Sequence, residues 1–196
     1  MRYGIESYLS EKCSFKCVGS SRTVQDFFNY MEENKPGKSA VPKVLVTEFC
    51  TEGETGADIP MIKKCRKLYP ETKIIVYTER KSPVLVNAAI EAGAMGYVTK
   101  QSDERELKNA MDSVLSGRIY VEPDLAKNLV AFEHTLSRFT KRESEILCLV
   151  MQKCSNSEIA EKLSLTKRTV ENNISRIYTK IGVFSRDELV RFEEAF

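Results

Sequence analysis

The sequence predicts two halves of different class, an α/β half organised on a parallel sheet and an all-helical half behind it. Three observations carry that expectation. Short β-branched runs alternate with helical patterns up to about residue 117. No strand-like run follows Arg138. Capping signals then open three successive helices.

Composition fits a folded, non-membrane chain. Of 196 residues, 42% are hydrophobic and 30% charged, with a formal net charge of +2. The longest apolar runs, such as Val84 to Ala89, are far too short to span a bilayer. The start, Met1-Arg2-Tyr3-Gly4-Ile5-Glu6, lacks the apolar core of a signal peptide, so a cytoplasmic location is expected. Of the six cysteines (Cys13, Cys17, Cys50, Cys65, Cys148 and Cys154), only Cys13 and Cys17 approach a ligand-like spacing, and His134 is the single histidine. Free thiols are therefore expected, with no metal and no cofactor. There is no Gly-rich phosphate loop and no nucleophile near His134, which argues against an enzyme.

In the first half, Val44-Leu45-Val46 and Lys73-Ile74-Ile75-Val76-Tyr77 each follow a proline-marked turn, and Gly96-Tyr97-Val98-Thr99 is a third strand. Helical patterns cover Met61 to Leu68, Pro83 to Ala92 and Glu104 to Ser116, the last closed by Gly117. Tyr120-Val121-Glu122-Pro123 breaks the pattern. Residues 118–136 are expected to form a linker with a short helix at Asp124 to Phe132. The expected domains are 1–117 and 137–196.

In the second half, Thr140-Lys141-Arg142-Glu143 and Ser155-Asn156-Ser157-Glu158 both fit a capping box. Thr166 is a third N-cap. Ile146, Leu147, Leu149 and Val150 line the first helix, and Ile159, Ala160 and Leu163 line the second. Val170, Ile174, Ile177 and Tyr178 form the apolar stripe of the third. A short helix, the tight Ser164-Leu165 link and a longer helix make a helix-turn-helix. The third helix keeps Lys167, Arg168, Glu171, Asn172, Ser175, Arg176 and Lys180 off its apolar stripe. Residues 137–186 carry ten Lys and Arg against five acids, a local +5 that the acidic tail hides in the total. Double-stranded DNA is the partner this arrangement suggests.

Phe139-Thr140-Lys141-Arg142-Glu143, Ser155 to Ala160, Thr169-Val170-Glu171, Lys180-Ile181-Gly182-Val183 and Ser185-Arg186 together resemble the LuxR/FixJ-type (NarL-like) helix-turn-helix family. The resemblance implies four helices, the third reading the major groove. The fourth, from about Arg186 to Phe196, would offer Leu189, Val190 and Phe192 for dimerisation. It also brings Thr169 and Asn173 into the DNA-facing set. Three residues depart from the family pattern: Lys153 stands for a usual glycine, Glu171 for a frequent lysine and Asn173 for a frequent histidine. Glu171 can accept from cytosine N4 and Asn172 can pair with adenine, or Glu171 can pair with Lys167 and read no base.

The first half resembles the receiver domain of response regulators, which implies a doubly wound parallel sheet. Tyr69 to Thr78 fits the segment ending in the signalling hydroxyl, Thr78. Ala89 to Lys100 fits the next, with Tyr97 as switch aromatic and Lys100 as its lysine; Gln101-Ser102 replaces the usual proline. Glu48 stands where the phosphoacceptor aspartate belongs. The residues from Met1 to Leu9 look like the first helix, so the first strand and its Mg²⁺-binding acid pair are missing. Either the remaining strands close up, with Phe15-Lys16-Cys17-Val18-Gly19 pairing directly with Val44-Leu45-Val46, or another segment or subunit fills the gap, or the start is set too late. The expectation is a degenerate, phosphorylation-independent receiver in which Glu48 either mimics phospho-aspartate or has drifted.

The whole then reads as a sequence-specific transcription regulator, dimeric through itself or through a related regulator. The competing reading is a non-enzymatic subunit that heterodimerises with such a regulator and modulates its DNA binding.

Overall fold

A computed structural model describes residues 2–13, 15–33, 41–49 and 59–194. The chain opens with helix α1 (Arg2–Cys13) and helix α2 (Val24–Glu33), which buries Phe27, Phe28 and Met31. Strand β1 (Val44–Thr47), helix α3 (Ile59–Leu68), strand β2 (Lys73–Thr78), helix α4 (Pro83–Ala92), strand β3 (Gly96–Thr99), helix α5 (Glu104–Leu115) and strand β4 (Tyr120–Val121) follow. The four strands form one parallel sheet in the order β1-β2-β3-β4.

Ile74, Val76 and Tyr97 point from the sheet toward the core shared with α2, α3 and α4. Ile75 and Val98 point to the opposite face, against α5, with Ile5 and Leu9 of α1 packed alongside. Gly96 is required where β3 runs beside β2, because a Cβ there would lie 2.8 Å from the side chain of its register partner Ile75.

Two expectations fail here. Residues 15–19 form no strand and do not pair with β1. A parallel strand is held only by its neighbours, and this segment instead leans on α2. The Tyr30 hydroxyl donates to the Val18 carbonyl at 2.8 Å, and Gly19 lies against the Tyr30 ring. Conversely, Tyr120-Val121, expected inside the linker, is β4, paired with Gly96 and Tyr97. It is only two residues long. The crossover leading to it runs over the face opposite to α3 and α4 while the strand order keeps advancing, so its hand is opposite to that of the other two. That hand is strongly disfavoured and is not one a sequence pattern would suggest.

Pro123, at the first turn, starts helix α6 (Pro123–Leu136), longer at both ends than expected. Helices α7 (Lys141–Met151), α8 (Asn156–Lys162), α9 (Lys167–Ile181) and α10 (Arg186–Glu194) complete the described chain. One apolar core runs from the sheet through α4 into this helical half. Three consecutive buried residues, Val84, Leu85 and Val86, sweep about 200° of the α4 surface, so α4 is covered on more than one side. It packs on α3 and β3 and also on α6 and α7. In α7 six consecutive residues, Ile146 to Met151, are buried. No helix among the described residues is long and apolar enough to cross a membrane.

Candidate nucleic-acid interface and receiver vestige

The helical half is positioned by its caps. The Thr140 hydroxyl accepts from the Glu143 N–H at 3.3 Å, and the Glu143 carboxylate accepts from the Thr140 N–H at 2.7 Å. Ser155 and Glu158 repeat this reciprocal pattern at 3.3 and 2.6 Å. Thr166 caps α9 through the Thr169 N–H at 3.1 Å. The turn from α8 to α9 closes with Leu165 N–H on the Ala160 carbonyl at 2.8 Å and places Ser164 at φ 53°. Gly182, at φ 87°, ends α9 in the left-handed conformation that glycine adopts without strain.

Val170, Ile174 and Ile177 hold α9 to the core. Lys167, Arg168, Glu171, Asn172, Ser175 and Arg176 are exposed on its outer side. Thr169 and Asn173 are half-buried. The Thr169 hydroxyl shares a hydrogen bond with Thr166 at 2.8 Å, and Asn173 Nδ2 donates to the Thr169 carbonyl at 2.8 Å. No ion pair joins Lys167 to Glu171 among the described residues.

Lys180 is committed elsewhere. Its Nζ donates to Glu143 Oε2 at 2.6 Å and to the Arg138 carbonyl at 3.0 Å, and it sits 5.8 Å from the Phe139 ring centroid. Glu143 is buried. Burial pushes its carboxyl upward, but bonds from Lys180 and Thr140 outweigh this and hold it below the usual carboxylate range. Lys180 therefore ties α9 to the start of α7, and the structure does not bring it to the exposed set. The sequence offered Glu143 only as a cap; its spacing from Lys180 carried no signal.

The residues expected to dimerise divide. Leu189 is 1% exposed, buried within its own chain. Phe192 packs on Phe132 of α6, with ring centroids 6.1 Å apart. Val190 is half-buried and lines a surface groove.

In the α/β half, Lys100 and Glu48 form an ion pair; the lysine side chain is 8% exposed and the glutamate 54%. The Lys100 N–H donates to the Thr78 carbonyl at 2.8 Å. Tyr97 is fully buried, its hydroxyl donating to the Arg80 carbonyl at 3.1 Å, and the Thr78 hydroxyl accepts from the Arg80 N–H at 3.3 Å. The sheet thus brings Glu48, Thr78, Tyr97 and Lys100 to one end. Sequence reasoning missed Glu122. Its carboxylate accepts from the Thr99 N–H at 2.8 Å and from the Ser102 hydroxyl, which also bonds the Thr99 hydroxyl at 2.7 Å. Ser102 falls in the Gln101-Ser102 pair where receivers usually have proline, and that departure was the available signal.

The chain matches known families over both halves. Residues 137–193 match the family described as bacterial regulatory proteins, luxR family, and residues 1–112 match the response regulator receiver domain. It is 32% identical to the transcriptional regulatory protein DesR of Bacillus subtilis, over 94% of this chain and 86% of DesR. It is 33% identical to the oxygen regulatory protein NreC of Staphylococcus aureus, over 98% of this chain and 91% of NreC. Among solved structures, RcsB of Salmonella enterica serovar Typhimurium bound to promoter P1flhDC superposes with a TM-score of 0.76 at 22% identity, covering 100% of this chain and 93% of RcsB. The chain belongs to the LuxR-type response regulators, a receiver joined to a helix-turn-helix. It is a DNA-binding transcription regulator of that type.

Proposed function

We propose that the protein reads a specific operator through the outer side of α9, as a dimer and without phosphorylation. The observation that carries this is the α9 surface itself: Lys167, Arg168, Glu171, Asn172, Ser175 and Arg176 are exposed together, at the start and along one side of the helix. Side chains so disposed on a recognition helix meet base edges, while the flanking cations meet phosphates. Glu171, unpaired with Lys167 in this structure, is free to accept from cytosine N4, and Asn172 to form a bidentate pair with adenine.

Independence from phosphorylation is supported by the other end of the molecule. Phosphoryl transfer to a receiver needs an aspartate and a Mg²⁺ site built from several carboxylates. The donor set does not fit: Glu48 replaces the aspartate, its carboxylate is engaged by Lys100, and no three-residue carboxylate, histidine or cysteine cluster is present among the described residues. The pair gives Lys100 the anion that phosphorylation would otherwise supply. No catalytic role is proposed for any residue.

A gel shift with the full-length protein across a salt series tests the reading. Binding of one operator above bulk DNA, equal with and without acetyl phosphate and Mg²⁺, is expected. Stoichiometric phosphorylation, or a Mg²⁺-dependent gain in affinity, would overturn the independence. Absence of specific binding at every salt, with a related regulator required for a shift, would favour a modulating subunit instead.

A further inference from the structure

Glu122 is the N-cap residue of α6, yet its side chain bonds none of that helix's own N–H groups. Ser82, Asp103 and Thr166, at the same place in α4, α5 and α9, each accept from the first turn of their own helix. The Glu122 carboxylate crosses instead to the end of β3, where it accepts from the Thr99 N–H at 2.8 Å and from the Ser102 hydroxyl. The Ser102 and Thr99 hydroxyls share a further bond at 2.7 Å, which closes a ring of three side chains around the Thr99 backbone. Thr99 is 1% exposed and Glu122 half-buried, so water competes little for these bonds. Bonds to a carboxylate are also stronger than bonds between neutral groups. The backbone is tied at the same point. The Glu122 N–H donates to the Tyr97 carbonyl at 3.1 Å, and the Glu122 carbonyl accepts from the Ala126 N–H at 2.9 Å in the first turn of α6.

The two ends of this link lead to different parts of the molecule. On one side, Lys100 follows Thr99 directly; its amine pairs with Glu48, and its N–H donates to the Thr78 carbonyl at 2.8 Å. On the other side, α6 runs from Glu122 along α4, buries Leu125 and Phe132, and sets Phe132 against Phe192 of α10. We propose that Glu122 is a positioning residue for the DNA-binding half: its carboxylate fastens the root of α6 to the end of β3, so that the pairing of Lys100 with Glu48 fixes where α6 stands. The route is short. A displacement of Lys100 moves the adjacent Thr99, and the Thr99 N–H carries the Glu122 carboxylate with it. The first turn of α6 follows through the Glu122 carbonyl. A carboxylate that capped its own helix would leave α6 indifferent to β3. This rests on the operator-binding reading above and adds the connection by which the receiver end bears on it.

Amide hydrogen exchange, followed by NMR on the full-length protein, tests this. Glu122→Ala should speed exchange of the Thr99 amide roughly tenfold or more while leaving the β2 amides unchanged. Glu48→Gln, which removes the anion from Lys100, should speed exchange of the Ala126 amide about threefold or more. In the Glu122→Ala background the same change should add nothing at Ala126, whereas independent sites would multiply. Ser102→Ala keeps the bond from Thr99 to Glu122 and should give the same changes at smaller size, so the test stands even where Glu122→Ala folds poorly. In a gel shift, Glu122→Ala should weaken operator binding about tenfold, and Glu122→Gln, which retains an acceptor, should weaken it less. Three results overturn the proposal: a Thr99 amide unmoved by Glu122→Ala, an Ala126 amide that answers Glu48→Gln equally with and without Glu122, or operator affinity unchanged in Glu122→Ala. The exchange measurements use no DNA, so a wild type that binds no operator would refute the operator reading while they decide the link from Lys100 to α6.

Discussion

Glu143 joins two jobs in one side chain, closing the α7 capping box and holding Lys180 of α9. Removing one partner of a buried ion pair strands the other, so Glu143→Ala should cost about 2–4 kcal/mol. Urea unfolding at pH 7 measures it, and a loss below 0.5 kcal/mol would sink the assignment. The Glu143 carboxyl is held below its ordinary range in the folded protein. Its contribution is therefore complete above the unfolded value of about 4.3 and is lost as pH falls through the lower folded value. Acid unfolding of the wild type should steepen in that window, and Glu143→Gln should remove the extra slope. Among the exposed residues, Glu171→Lys should strengthen binding to all DNA through added phosphate attraction while relaxing preference for the operator. A competition gel shift in which the operator preference is unchanged would show that Glu171 reads no base.

At the scale of elements, the turn after α7 stores strain. Lys153 adopts φ 62°, where a Cβ costs about 1–2 kcal/mol that the extra chain entropy of glycine only partly offsets. Lys153→Gly should therefore raise stability by about 0.5–1 kcal/mol, read from the thermal midpoint, and a fall in that midpoint would refute the strain. The first half has the opposite problem. Strand β1 has β2 on one side and no strand on the other among the described residues, and the 15–19 segment lies against α2 without joining it. The open edge of β1 is left without the expected strand, whose segment packs on Tyr30 of α2 instead, while the edge of β3 is taken by β4.

Across the whole molecule, α4 is the element on which both halves meet, buried toward the sheet and toward α6 and α7. The two halves share one core, so they should unfold as one unit. A single calorimetric transition with equal calorimetric and van't Hoff enthalpies is expected, and two resolved transitions would contradict it.

The sequence by itself determined the helix-turn-helix, its caps and apolar stripes, and three of the four strands. These are local properties: a capping box spans four residues, and an apolar stripe repeats within one helix. Only the tertiary structure decided the rest. It tied Lys180 to Glu143, buried Leu189, set Phe192 against Phe132, made Tyr120-Val121 a strand, and joined Val190 and Val150 in one surface groove. Each depends on a partner distant in sequence, with Glu143 lying 37 residues from Lys180, and periodicity and spacing carry no record of such a partner.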